Sequence, residues 1–124
     1  MTQKQSVVYV IQQPKPKEGG WTPNLQPAVE YGRIEFVFDA GDRIYADPKA
    51  ALEKARTRLK DFDPENDYLL WPNFGDPASQ WLVVAHLTAN GFNTLRWLYW
   101  TRGRVGNAMS NENGFYIPIT LKAK

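Results

Sequence analysis

Residues 67–91 read DYLLWPNFGDPASQWLVVAHLTANG, and this stretch decides the fold. Tyr68–Trp71 is a short apolar run that predicts a buried strand, and Pro72 ends it or places its missing N–H outside the ladder. Asp76-Pro77 is helix-start chemistry: the carboxylate accepts from free N–H groups of the first turn, and proline there loses no needed donor. Residues 78–90 follow as a helix that is apolar almost all round, with Trp81, Leu82, Val83, Val84, Ala85, Leu87 and Ala89. Such a helix is expected to be buried on more than one side, by the sheet and by a second subunit. Gly91 supplies the left-handed residue that stops it. Strand, turn and helix make one β-α unit, with the turn where open sheets bind ligands.

The same logic extends outward. Ser6–Gln12 (SVVYVIQ) is β-branched and predicts a strand. Residues 14–27 hold four prolines and two glycines and predict a surface loop, pinned by Trp21. Gly32–Phe38 (GRIEFVF) alternates, with Ile34, Phe36 and Phe38 on one face and Arg33, Glu35 and Val37 on the other. Arg43–Tyr45 reads as a short strand extension. Asp47-Pro48 starts a second helix, whose apolar stripe is Leu52, Ala55, Leu59 and Phe62. Residues 61–67 (DFDPEND) form an acidic connector with a turn at Asp63-Pro64.

Thr94–Thr101 (TLRWLYWT) and Phe115–Leu121 (FYIPITL) are two strands joined by a long polar hairpin loop at residues 102–113. Leu95, Trp97 and Tyr99 share one face, as do Phe115, Ile117, Ile119 and Leu121, and alternation is expected to send Trp97 and Tyr99 inward and Arg96 and Trp100 to the opposite face. Pro118 cannot donate to a ladder, which places the last strand at a sheet edge. The order β-β-α-β-α-β-β predicts an α/β fold. It is a single domain over 1–124 with a mixed four- to five-stranded sheet, mainly parallel, a C-terminal antiparallel hairpin and two flanking helices.

The 124 residues contain no cysteine, which excludes disulfides and thiolate metal sites. No segment approaches the ~20 apolar residues of a membrane span. The apolar run Val7–Ile11 is too short for a signal peptide, so the expected location is the cytoplasm. Net charge is +2, but beyond Gly91 five basic residues (Arg96, Arg102, Arg104, Lys122 and Lys124) stand against one acid, Glu112. That excess is either a solvated face or a surface for an anionic partner.

Two candidate sites emerge. Asn73, Phe74, Gly75 and Asp76 follow a strand and open a helix, where free N–H groups and the helix dipole favour an anion. The turn lacks the several glycines and the lysine of a P-loop, and Asp76, whose negative charge would compete with a phosphate, reads first as a helix cap. Arg96, Trp100, Arg102 and Arg104 interleave with Trp97 and Tyr99 on the hairpin, so bases could stack while guanidiniums track phosphates. Asp39, Asp42, Asp47 and Asp76 would hold Mg²⁺ only if the two β-α turns met, and two of them read as caps. His86 is the only histidine and reads as a core or interface residue. No nucleophile-base pair is visible, so no catalytic residue, metal or cofactor is assigned.

The chain resembles a group of small tailed-bacteriophage proteins. The match runs in order through Pro27-Ala28-Val29-Glu30-Tyr31-Gly32, Asp61-Phe62, Asp67-Tyr68-Leu69-Leu70, Gly75-Asp76-Pro77, Asn90-Gly91, Leu95-Arg96-Trp97 and Tyr116-Ile117-Pro118-Ile119. Relative to that pattern the Gly-Asp-Pro turn is longer and the final hairpin loop is expanded. The resemblance implies phage origin and action in the infected cell's cytoplasm, and it implies no activity. The leading expectation is a non-enzymatic bacteriophage accessory protein that binds a host or phage protein or forms a homodimer. The alternative is a nucleotide or single-stranded nucleic-acid binding module.

Overall fold

The computed structural model describes residues 5–13, 25–70, 77–101 and 115–122, with only the backbone described at 26, 100, 101 and 115. Strands β1 (Val7–Gln12), β2 (Arg33–Phe38), β3 (Tyr68–Leu70), β4 (Thr94–Thr101) and β5 (Phe115–Lys122) form one sheet in the order β2-β1-β3-β4-β5. The first four run parallel, and β5 is antiparallel to β4. This is the α/β architecture expected, with β5 at the edge where Pro118 required it.

β1 lies inside the sheet and is buried along its whole length, as a near-continuous Val/Ile run should be when both faces are covered. Helices α1 (Pro48–Arg58) and α2 (Pro77–Ala89) pack together on one face, over Val7, Tyr9, Ile11, Leu69 and Leu95. Asp47 caps α1 as expected, its carboxylate accepting from Ala50 N at 3.1 Å. Gly91 closes α2 at φ 91°, where Phe92 N donates to Leu87 O and Gly91 N to Thr88 O. That pair of bonds is a Schellman closure, and Phe92 packs into the same core.

The opposite face carries Val8, Val10, Leu70, Leu98 and Tyr116, and a 3-10 helix at Gln26–Tyr31 lies over it. Residues 26 and 27, expected in a surface loop, therefore belong to a structural cover; residues 14–24 lie outside those described. Proline at its start and Ala28, fully buried against the sheet, suit that tight turn. Gly32 then turns the chain into β2 at φ 157°. A Cβ there would lie 2.5 Å from Ser6 O, so only glycine allows this approach to the neighbouring strand.

Four expectations are corrected. Arg43–Tyr45 is not a strand; Ile44–Ala46 forms a 3-10 turn that buries Ile44. Of the stripe expected on α1, Ala55 and, just past the helix end, Leu59 and Phe62 are buried, whereas Leu52 is 36% exposed and Ala51 flanks the core instead. Phe38 joins Val37 beneath the helices instead of Ile34 and Phe36. Within this single chain α2 buries only the stripe Ser79, Val83 and Leu87, leaving Trp81 78% exposed. The last follows from helix geometry, since Trp81 lies about half a turn from that stripe and faces away from the sheet; separately, two helices packed about 10 Å apart span roughly four strands spaced ~4.8 Å, and the sheet has a fifth.

Candidate functional site

The uncovered strip falls on the C-terminal hairpin, and alternation divides that hairpin into two chemically different faces. Register pairs Leu95 with Leu121, Trp97 with Ile119 and Tyr99 with Ile117. Leu95 and Trp97 pack with the helix-side core, so all six side chains share that face. Toward the edge the cover ends. Tyr99, expected inward, is 58% exposed, and Leu121 is 56% exposed beside a partly exposed Ile119. None of the six is charged. Trp81 stands on the outward side of α2, opposite its buried stripe.

Both sheet edges are blunted. Pro118 lacks an N–H on β5, and on β2 Arg58 donates to Phe36 O at 2.8 Å. Both rims are thereby poor templates for an added strand.

The other face of the hairpin is polar and basic at one end. Thr94 lies opposite Lys122, and Arg96 lies opposite Thr120. The Arg96 guanidinium rests on the Tyr68 ring, with Cζ 4.3 Å from its centroid, and NH1 reaches the Tyr68 hydroxyl at 3.4 Å. Tyr31 meets Tyr68 edge-on at 5.4 Å, and its hydroxyl donates to Tyr116 O at 3.1 Å. Burial, then the charge and hydrogen bond of Glu30, push the Tyr31 pKa up, and burial pushes Tyr116 to about 12. Arg96 Nε is buried with no hydrogen-bond partner.

Of the residues singled out from sequence, Asn73, Phe74, Gly75 and Asp76 lie outside the described residues, as do Arg102 and Arg104. Trp100 is described by backbone alone, in register with Tyr116 and on the alternation of Arg96. Asp39 and Asp42 do come together after β2, but as an ion-pair site: Lys54 Nζ lies 2.7 Å from one carboxylate and 2.6 Å from the other. Burial would raise the Asp42 pKa, yet the hydrogen bonds from Lys54 and the Asp39 N–H, with the charges of Lys54 and Arg58, bring it below the ordinary value. Those same carboxylates raise Lys54. Asp47 is occupied as the α1 cap. The aspartates thus serve the fold, and among the described residues no group of three or more His, Asp or Glu could hold a metal. His86 is half-buried, with its pKa lowered by burial and by the nearby Arg56 charge, and Asn90 Nδ2 lies 3.3 Å from its ring.

Sequence reading missed three residues. Tyr68 was taken only as strand core, although it carries the Arg96 stack. Nothing in the sequence marks the bond by which the Tyr31 hydroxyl donates to Tyr116 O of β5. Asp67 is fully buried, and its carboxylate accepts from Val7 N at 2.9 Å and Asp63 N at 2.8 Å. An acidic run gives no warning that its last member turns inward.

No curated protein and no solved structure matches the chain. No described helix is long and apolar enough to cross a membrane. A family model described as Phage Pam3 gp32-like protein matches residues 6–107, which takes in β1 through β4 and both helices. The chain belongs to the Phage Pam3 gp32-like protein family.

Proposed function

We propose that this phage-family protein is a non-catalytic accessory protein that docks a protein partner, of the host or of the phage, on the helix-side face of β4 and β5. One observation carries the reading: Tyr99, Ile119 and Leu121 present a charge-free aromatic and aliphatic surface on one face of the hairpin. Contiguous exposed apolar surface of this kind marks interaction sites. Tyrosine and tryptophan are the anchors that dominate such interfaces. The proposed place of action is the cytoplasm of the infected cell.

The test compares wild type with Leu121→Glu and Tyr99→Glu, by affinity purification from infected cells and by sedimentation velocity. A specific co-purifying protein, or a self-associated form, should be lost in both variants while the fold is retained. A monomeric wild type that recovers nothing the variants fail to recover refutes the reading.

A second reading, binding of a nucleotide or single-stranded nucleic acid, draws on Arg96 and Trp100 and includes Arg102 and Arg104. Its supporting observation is the Arg96–Tyr68 stack on the opposite face. Salt-dependent binding of single-stranded DNA tests it.

A further inference from the structure

We infer that the polar end of the opposite hairpin face, built by Thr94, Arg96, Thr120 and Lys122, is a binding site for a phosphate group. The inference rests on the second reading, with which it shares Arg96, and adds Thr94, Thr120 and Lys122 as the residues that would hold the anion. Register sets these four residues in a two-by-two block, Thr94 beside Lys122 and Arg96 beside Thr120. Directly opposed residues on one face of an antiparallel pair have Cβ atoms about 5 Å apart, so one small anion can span the block. Every member brings a hydrogen-bond donor, two bring a positive charge, and no carboxylate stands among the residues of β4 or β5.

Arg96 gives the block its specificity. Its stack on Tyr68 and the NH1 contact to the tyrosine hydroxyl hold the guanidinium flat before any ligand arrives. Fixing the plane matters because arginine recognises phosphate through a planar fork of donors. The Nε–H of that fork is buried and has no acceptor, the only such side-chain atom among the described residues. A buried donor on a charged group left in that state is rare in native structures and calls for a partner. A phosphate drawn to the guanidinium supplies acceptors for its outer N–H groups and compensates the charge that the shielded Nε–H leaves unsolvated; Lys122 and the two threonine hydroxyls can meet its remaining oxygens. Thr120 and Lys122 are exposed, so the approach from solvent over β5 is open.

The experiment titrates the ¹⁵N-labelled full chain with inorganic phosphate and, separately, with a short oligothymidylate, following the Arg96 Nε–H resonance and the amides of the block. Phosphate should shift them saturably where chloride at equal ionic strength does not. Thr120→Val and Lys122→Gln, both at exposed positions that spare the core, should each weaken binding about tenfold, the order of one charge-assisted hydrogen bond. Arg96→Lys, which keeps the charge and removes the fork, should abolish the saturable shift. No saturable shift with either probe, or one unchanged in Thr120→Val and Lys122→Gln, overturns the site. Phosphate binding without oligothymidylate binding supports the site and refutes the nucleic-acid reading. Oligothymidylate binding that phosphate does not compete with, and that these variants leave intact, does the reverse.

Discussion

Asp67 offers the sharpest test of how this sheet is held. Its carboxylate is inaccessible to solvent and ties the start of β1 to the turn before β3, through Val7 N at 2.9 Å and Asp63 N at 2.8 Å. Hydrogen bonds to a charged group contribute about 1.5–3 kcal/mol each. Asp67→Asn keeps one acceptor oxygen but turns an amide N–H toward a backbone N–H, so one bond is lost and two donors collide. Asp67→Ala removes both bonds and leaves two donors without an acceptor from this residue. Relief of the buried charge works the other way in each variant, because the desolvation of a carboxylate is no longer borne. The net expectation is a loss of about 2–3 kcal/mol for Asn and about 3–5 kcal/mol for Ala. Against a typical domain stability of roughly 5–15 kcal/mol, either is a large fraction. Urea unfolding followed by far-ultraviolet circular dichroism and by tryptophan fluorescence measures it, provided the denaturant slope is unchanged. Variants within about 0.5 kcal/mol of wild type, the range of an ordinary surface change, refute the reasoning.

Three further outcomes are expected. Gly32→Ala should destabilise by more than about 2 kcal/mol, because its Cβ meets the Ser6 carbonyl at 2.5 Å; Gly91→Ala, with open space around it, should lose only about 1 kcal/mol to its positive φ. Calorimetry of the pair separates a backbone clash from simple conformational strain, and equal losses contradict it. The Lys54 bridge should give a stability plateau: Asp42, lowered in the fold, contributes above its unfolded pKa and loses that contribution as pH falls through its folded value. Lys54, raised, contributes below its unfolded pKa and loses it as pH rises through its folded value. Lys54→Met should flatten both limbs while costing no more than about 1 kcal/mol at neutral pH, since the groups are part-exposed. Tyr9, raised to about 12 by burial and by the charges of Asp67, Asp61 and Glu35, and Tyr116, raised to about 12 by burial, should stay protonated when exposed tyrosines ionise. In that range the unfolded chain releases protons first, so stability should fall from about pH 10 upward. Ultraviolet titration, with loss of Tyr9→Phe from the late phase, checks the assignment.

What the sequence determined on its own was whatever a few neighbouring residues can settle. An aspartate-proline pair caps α1 because donor and acceptor lie three residues apart, and Asn90-Gly91 closes α2 for the same local reason. Pro118 marks an edge because a missing N–H is a property of one residue. The alternation of β4 likewise puts Arg96 and Trp97 on opposite faces before any partner strand is known. Tertiary structure alone decided which of several similar apolar side chains would be covered. Leu52, Trp81 and Tyr99 look like Leu59, Val83 and Leu95 in sequence; Leu52 and Trp81 fall off their helices' buried stripes, and Tyr99 lies where the helix cover runs out over the five-stranded sheet. The inward turn of Asp67 and the seating of Arg96 on Tyr68 were equally invisible. Each depends on a strand pairing made across tens of residues, and burial is a property of the assembled layers, not of the chain that enters them.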